Sequence, residues 1–365
     1  MKIYPNVLDR QFHMYQDEYE QKALEVLRKG WYVLGDEVKN FEEEFAAYIG
    51  SKHCVGLASG LDALWISFRL LGIGSGDEVI VQSNAYIACV MGITINGATP
   101  VFVEPDEYHN LDMDKIEQAI TPKTKAILVV HLYGQASRMA KVREICDRRN
   151  LYLVEDCAQS HGAKVDDKMT GTFGDVACFS FYPSKNLGCF GDGGAIVTDN
   201  TELAQKFRVF RNYGSEKRYQ NMVVGTNSRL DELQAGLLRV KLSHLEELNC
   251  ERAKIAKRYL NEITNPSITL PKIANHSTSV WHLFVITTDF RDEMIKYLEA
   301  NDIYTMIHYP IPPHLSQAYE YLGYKVGAFP ISERNAQQVL TLPLYNGMTS
   351  EEIDQVIQVV NGFGG

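Results

Sequence analysis

Leu151-Tyr152-Leu153-Val154-Glu155-Asp156 is apolar until its last two residues, and Cys157-Ala158-Gln159-Ser160-His161-Gly162 follows directly. Downstream, Ala177-Cys178-Phe179-Ser180-Phe181 leads into Tyr182-Pro183-Ser184-Lys185-Asn186, and then into the glycine-rich run Gly188-Cys189-Phe190-Gly191-Asp192-Gly193-Gly194. A short apolar run bounded by polar residues and glycine reads as a buried strand. The first strand delivers one carboxylate, Asp156, at its carboxyl end. The second delivers one lysine, Lys185, on the loop that leaves the sheet.

Working outward, the same unit recurs on both sides. Strands are expected at 54–58, 78–82, 100–103, 126–132 and 151–155. Between them helices are expected from near 62, at 85–92, at 113–119 and at 139–149. Strands alternating with helices predict an α/β domain with a mostly parallel sheet. Strands at 176–181 and 195–198 flank the lysine loop. Upstream, 1–14 reads as an extended arm. Amphipathic helices follow at 17–29, closed by Gly30, and at 36–49, where Val38, Phe41, Phe45, Tyr48 and Ile49 share a face. A long helix is expected from 231 to about 261, with Leu233, Leu237, Val240, Leu245 and Leu248 on its apolar face. Beyond it the alternation changes to a strand at 280–287, a helix at 292–300 and a strand at 304–307. Thr349-x-x-Glu352 is a capping box that opens the last helix. The expected division is a large domain over 1–248 and a small C-terminal α+β domain over 249–365.

With 365 residues the chain exceeds one small core, and 45% hydrophobic with 22% charged residues is an ordinary globular composition. The formal net charge of −10, with no basic run, argues against nucleic acid or an anionic membrane as partner. No apolar run reaches the ~18 residues of a membrane span. Seven cysteines, an odd number with no CxxC pair, read as buried thiols of a reducing cytoplasm, and no Cys/His cluster has metal-ligand spacing.

An aspartate and a lysine placed this way suit pyridoxal phosphate (PLP). The lysine amine forms a Schiff base with the cofactor aldehyde, and the aspartate keeps the pyridine nitrogen protonated so that the ring withdraws electrons. A loop lysine is ordinarily solvated; one that leaves an apolar strand starts near the sheet interior, where desolvation favours the neutral amine. Open α/β sheets bind ligands at the carboxyl ends of their strands, which favours a cofactor contact for Asp156 over a mere helix cap. Gln159 is a candidate for the phenolic oxygen of the cofactor. His161 is either site wall or core packing. Ser59-Gly60-Leu61-Asp62 turns a strand into a helix whose free amides suit a phosphate, and Ser180 adds a hydroxyl. Tyr86, just after a strand, either stacks on a flat heterocycle or packs in the core. A nicotinamide enzyme would need GxGxxG at the first strand, and 59–64 holds a single glycine.

The chain resembles the DegT/DnrJ/EryC1/StrS family of PLP-dependent sugar aminotransferases. The resemblance lies in Gly30-Trp31-Tyr32-Val33-Leu34-Gly35, Phe41-Glu42-Glu43-Glu44-Phe45, 59–64, 155–162, 179–187, 191–198 and Gly225-Thr226-Asn227-Ser228-Arg229-Leu230-Asp231. It implies PLP fold type I, like aspartate aminotransferase, with a seven-stranded sheet, and a homodimer with shared active sites. It also implies Lys185 as Schiff-base lysine, Asp156 as pyridinium partner, Tyr86 stacked on the ring, and Gly60, Leu61 and Ser180 on the phosphate. Asn227 matches an asparagine that reaches the phosphate of the neighbouring subunit. Relatives with histidine in place of the lysine are dehydratases; Lys185 excludes that branch. Leu61 stands where many relatives have threonine, and Ser228 where an aromatic is common.

For the amino acceptor, Ile307-His308-Tyr309-Pro310-Ile311-Pro312-Pro313-His314-Leu315-Ser316-Gln317-Ala318-Tyr319 resembles members that aminate C3 of dTDP-3-keto-6-deoxyhexoses, with L-glutamate as donor. Tyr182, His161, Arg218, Tyr219, His308 and Tyr309 are the candidate substrate residues, with Lys217 as a further cation. The alternatives are the same chemistry at C4 of a dTDP- or UDP-4-keto-6-deoxy sugar, a keto-cyclitol acceptor, or a PLP-binding regulatory protein without turnover.

Overall fold

The computed structural model describes residues 1–364. Three helices open the chain: α1 (Leu8–Met14), α2 (Gln16–Lys29) and α3 (Asp36–Ile49). Strands and helices then alternate as β1 (His53–Leu57), α4 (Gly60–Leu70), β2 (Glu78–Gln82), α5 (Ile87–Thr94), β3 (Thr99–Val103), α6 (Ile116–Ala119), β4 (Thr124–Val130), α7 (Met139–Arg149) and β5 (Tyr152–Asp156). A small ladder of β6 (Lys164–Val165) and β7 (Lys168–Met169) precedes β8 (Val176–Ser180), β9 (Gly194–Thr198) and α8 (Thr201–Phe210). The hairpin β10 (Ser215–Lys217) and β11 (Gln220–Asn221) leads to α9 (Glu232–Ser243) and α10 (Leu245–Glu262). The rest is β12 (Phe284–Thr287), α11 (Arg291–Ala300), α12 (Pro330–Gln338), β13 (Val339–Leu342) and α13 (Ser350–Gly362).

The main sheet has seven strands in the order β1-β9-β8-β5-β4-β2-β3. Only β9 runs against its neighbours; the pairs β8–β5, β5–β4, β4–β2 and β2–β3 are parallel. The mostly parallel α/β architecture expected from the alternation is therefore present. Because side chains alternate across a strand, each strand feeds two cores. On β8, Cys178 joins Leu57, Ile66 and Leu128 under α4 and α5, while Phe179 joins Phe41 and Phe45 of α3. Phe45 meets Phe179 and Phe181 edge-on, with ring centroids 5.0 and 5.4 Å away. A further core holds Tyr259, Phe284, Leu298, Leu340 and Val356 of the C-terminal part, and Ile3 packs into it. β12 and β13 pair antiparallel there.

Four local expectations are corrected. The arm at 1–14 contains α1, a helix of seven residues and so too short for apolar periodicity to show in the sequence. The long helix is two helices broken at His244 (φ −107°), whose ring stacks on Tyr15 at 3.8 Å between centroids. The strand at 280–287 starts only at Phe284: Trp281 takes φ 51°, and Arg252 draws the Trp281 and His282 carbonyls out of any ladder. Residues 304–307 form no strand; Met306 makes one bridge to Thr341.

Candidate active site

The carboxyl ends of the parallel strands gather the site. β5 ends on two carboxylates that point to opposite faces, and each has its own fate. Glu155 is fully buried and accepts four hydrogen bonds, from His131 Nε2 (3.0 Å) and the backbone amides of Gly171, Phe173 and Gly174 (2.9, 2.8 and 2.6 Å). Burial works to raise its pKa, but His131 and the amides outweigh it and hold it below the usual carboxylate range. His131 Nδ1 accepts from the Ser137 amide (3.0 Å), so Nε2 carries the proton given to Glu155. The donor atoms of His131, Glu155 and Cys157 lie within 4.8 Å of one another, but both imidazole nitrogens and both carboxylate oxygens are already spent on protein hydrogen bonds.

Asp156 faces the other way. Its Oδ1 accepts from the Ala158 amide and its Oδ2 from the Cys89 thiol, both at 3.0 Å. Lys185 follows β8 in a turn closed by its own amide on the Tyr182 carbonyl (2.8 Å). Burial pushes its ammonium down to about 8, while the Asp156 carboxylate pulls it upward. The result is a lysine with a substantial neutral-amine fraction near physiological pH, far above that of an ordinary lysine.

At the end of β8, where the chain turns toward Lys185, lies a cradle. Ser59 caps α4 through its hydroxyl on the Asp62 amide (3.1 Å), and the first intrahelical bond is Ala63 N–H to Ser59 O. The amides of Gly60 and Leu61 thus precede the ladder at a helix N-terminus. A Cβ on Gly60 would sit 2.6 Å from Ser180 Cβ, and one on Gly194 would sit 2.3 Å from the Ser59 carbonyl carbon. Glycine at both places lets the helix start press against the ends of β8 and β9, with Ser180 beside it. This is the donor set and the bare backbone that a phosphate monoester needs.

Tyr86 caps α5, half exposed, with Tyr309 of the C-terminal part across from it (4.9 Å between centroids). Gln159 is clamped: Oε1 accepts from the Tyr133 amide (2.7 Å), so its NH2 group is the one presented to Tyr309 Oη (3.1 Å). Tyr133 Oη in turn donates to the His308 carbonyl, and His308 Nδ1 meets Thr341 Oγ1 at 2.8 Å. Burial lowers the His308 imidazole to about 4 and raises the Tyr309 phenol. Asn186, next to Lys185, donates to Asn249 Oδ1 and to the Val280 carbonyl (both 2.8 Å). The lysine loop is thereby tied to α10.

The structure brings Asp156, Gln159, Tyr86 and Tyr309 together, and Gly60 with Ser180. It does not bring every candidate there. His161 has no exposed surface; its ring packs on Phe179 and Phe181, burial pushes it down to about 3, and neither ring nitrogen has a partner. Of the two readings of His161, core packing describes its surroundings. Tyr182 is half exposed beside the lysine turn. Arg218 and Tyr219 lie on the β10–β11 hairpin, stacked on each other 5.1 Å apart with Tyr219 85% exposed. Asn227 is exposed and holds Tyr213 Oη (3.0 Å). Ser228 is not an open substrate contact: buried, it accepts from the Ala58 amide and donates to Asp62 Oδ2 (3.1 and 2.7 Å), tying its loop to α4. Sequence reading missed Cys89 and Tyr133. Cys89 carried a faint signal as the residue three beyond Tyr86, whereas Tyr133 orients Gln159 through its backbone amide and carried none.

The family model of the DegT/DnrJ/EryC1/StrS aminotransferase family matches residues 14–361. A dTDP-3-amino-3,6-dideoxy-alpha-D-galactopyranose transaminase of Aneurinibacillus thermoaerophilus is 51% identical over 357 residues, covering 97% of this chain and 98% of that protein. The crystal structure of S. venezuelae DesV in complex with a ketimine intermediate superposes with a TM-score of 0.97 at 46% identity, covering 99% of this chain and 98% of the other. Ntda from Bacillus subtilis with bound cofactor PMP superposes with a TM-score of 0.90 at 33% identity, covering 97% and 83%.

Proposed function

Because the chain belongs to the DegT/DnrJ/EryC1/StrS aminotransferase family, we propose that it moves an amino group from L-glutamate to C3 of a dTDP-3-keto-6-deoxyhexose, giving a dTDP-3-amino-3,6-dideoxyhexose. The observation that carries this reading is the near full-length similarity to a dTDP-3-amino-3,6-dideoxygalactose transaminase. A lysine with its pKa lowered to about 8 by burial, and within the field of the buried Asp156 carboxylate, supports the chemistry.

PLP, when bound, supplies an electron sink and a carbonyl that carries the amino group between the two substrates. The residues fit it: Gly60, Leu61 and Ser180 for the phosphate, Asp156 for the ring nitrogen, Gln159 for the phenolic oxygen, Tyr86 for the ring face and Lys185 for the aldehyde. In this reading Lys185 takes and returns the proton at the substrate carbon, and its lowered pKa fits a base working near neutral pH. Asp156 is held in orientation by its Ala158 and Cys89 hydrogen bonds. His308, Tyr309 and Tyr182 contact the hexose. The division at 248/249 belongs to this proposal and is supported by the separate core beyond Ile255. So does a homodimer, in which the partner subunit's Asn227 completes the phosphate site and the partner subunit's Arg218 and Tyr219 reach the nucleotide. The exposed hairpin, with Met222 and Val224 beside it, supports that assembly. Among the described residues no helix is long and apolar enough to cross a membrane. The cytoplasm is the proposed setting, in keeping with free cysteines of which six are buried.

The test is incubation of purified protein with PLP, L-glutamate and either dTDP-3-keto- or dTDP-4-keto-6-deoxyglucose, with NMR of the product. An amine at C3 is expected; an amine at C4 alone, or no amine from either sugar, overturns the acceptor assignment.

A further inference from the structure

Cys89 is 1% exposed, sits in the apolar core under the sheet, and points its thiol at Asp156 Oδ2 (3.0 Å). Other buried thiols end on neutral carbonyls, as Cys178 on Ala63 O (3.3 Å) and Cys189 on Phe181 O (2.9 Å). Cys89 instead meets a carboxylate, where a donor forms the stronger, charge-assisted bond. Its place on α5 is equally specific. Its amide closes the first turn on the Tyr86 carbonyl (3.0 Å), so one helical turn carries both Tyr86 and the group that holds Asp156.

We propose that Cys89 is a positioning residue for the cofactor: its thiol proton, given to Asp156 Oδ2, fixes the carboxylate plane that receives the ring nitrogen, while Tyr86 on the same turn fixes the ring face. This rests on the reading of Asp156 as the partner of that nitrogen. With the Ala158 amide on Oδ1 and the thiol on Oδ2, both oxygens are oriented before the cofactor arrives, so little freedom is lost on binding. Without the thiol, the carboxylate rotates about its last bond with one anchor only.

The experiment compares wild type, Cys89→Ser and Cys89→Ala. PLP affinity is measured by absorbance titration of the stripped protein, together with the pH midpoint of the bound-cofactor band and the melting temperature of the stripped forms. Serine keeps a donor and is expected to stay within ~2-fold of wild type in affinity, with an unmoved midpoint. Alanine removes the donor and is expected to weaken PLP by ~10-fold and to shift the midpoint. If Cys89→Ala folds poorly, Cys89→Val fills the volume without a donor and takes its place. Serine and alanine behaving alike, whether both normal or both impaired, would overturn the proposal in favour of packing. Asp156→Ala separates the two layers. If it binds PLP as wild type does, the reading of Asp156 falls and the role of Cys89 with it. If it loses PLP while Cys89→Ala does not, the role of Cys89 falls alone.

Discussion

Replacing Lys185 with methionine is expected to stabilise the cofactor-free protein. Burial lowers the ammonium from its ordinary value of 10.5 to about 8, against the pull of Asp156. At pH 7 both native and unfolded chains hold the proton, but the native chain holds it in a desolvated site. The gap between 10.5 and about 8, at ~1.4 kcal/mol for each tenfold change in proton affinity, makes that burden about 3 kcal/mol. Between pH 8 and 10.5 the unfolded chain binds more protons than the native one, so stability contributed by this group rises with pH. Methionine has similar length and no charge, so the gain should be about 3 kcal/mol at pH 7 and should shrink steadily above pH 8. The assay is urea unfolding of the stripped wild type and Lys185→Met across pH 7 to 10. A variant no more stable at pH 7, or a gain that does not change with pH, would refute the reasoning. The same lowered pKa leaves roughly a quarter of the amine neutral at pH 7.5, against about a thousandth for an ordinary lysine. The stability deficit and the reactivity thus have one cause.

Glu155→Gln removes an oxygen that accepts two donors and turns an NH2 group toward them, so a loss of about 3–5 kcal/mol in urea unfolding is expected. Glu232 caps α3 by accepting from the amides of Gly35, Glu37 and Val38 (2.7, 3.0 and 2.9 Å); Glu232→Ala should cost about 2–4 kcal/mol by the same assay. Gly60→Ala puts a methyl 2.6 Å from Ser180 Cβ, so α4 must back away. PLP affinity should fall ~10-fold or more in an absorbance titration, with the far-UV spectrum unchanged.

How much was legible in the chain differs by the range of the signal. The sheet was legible because β4, β5 and β8 are short apolar runs closed by glycine or polar residues, a pattern set within each strand. Asp156 was legible because it ends such a run, Lys185 because it sits on the loop that leaves one, and Gly60 because a turn before a helix demands it. Contacts between distant segments were not. The thiol of Cys89 meets a carboxylate 67 positions away. Gln159 is oriented by the Tyr133 backbone amide, a group every residue has. The break at His244 owes to ring stacking on Tyr15, far off in sequence, and apolar periodicity ran straight through it. Ser228 was legible only as a departure from a common aromatic, and its role as a buried tie to α4 depends on Ala58 and Asp62, far off in sequence.

The most direct test is to reduce the PLP-loaded protein with borohydride and map the phosphopyridoxyl group by peptide mass spectrometry. The label is expected on Lys185 and is expected to be lost in Lys185→Ala. Lys241 is a buried lysine whose pKa is also low, pushed down to about 7 by burial and Arg252, and its ammonium donates to the Gly188 carbonyl (3.2 Å). Label on Lys241, or on no lysine of a yellow protein, would contradict the account at its centre.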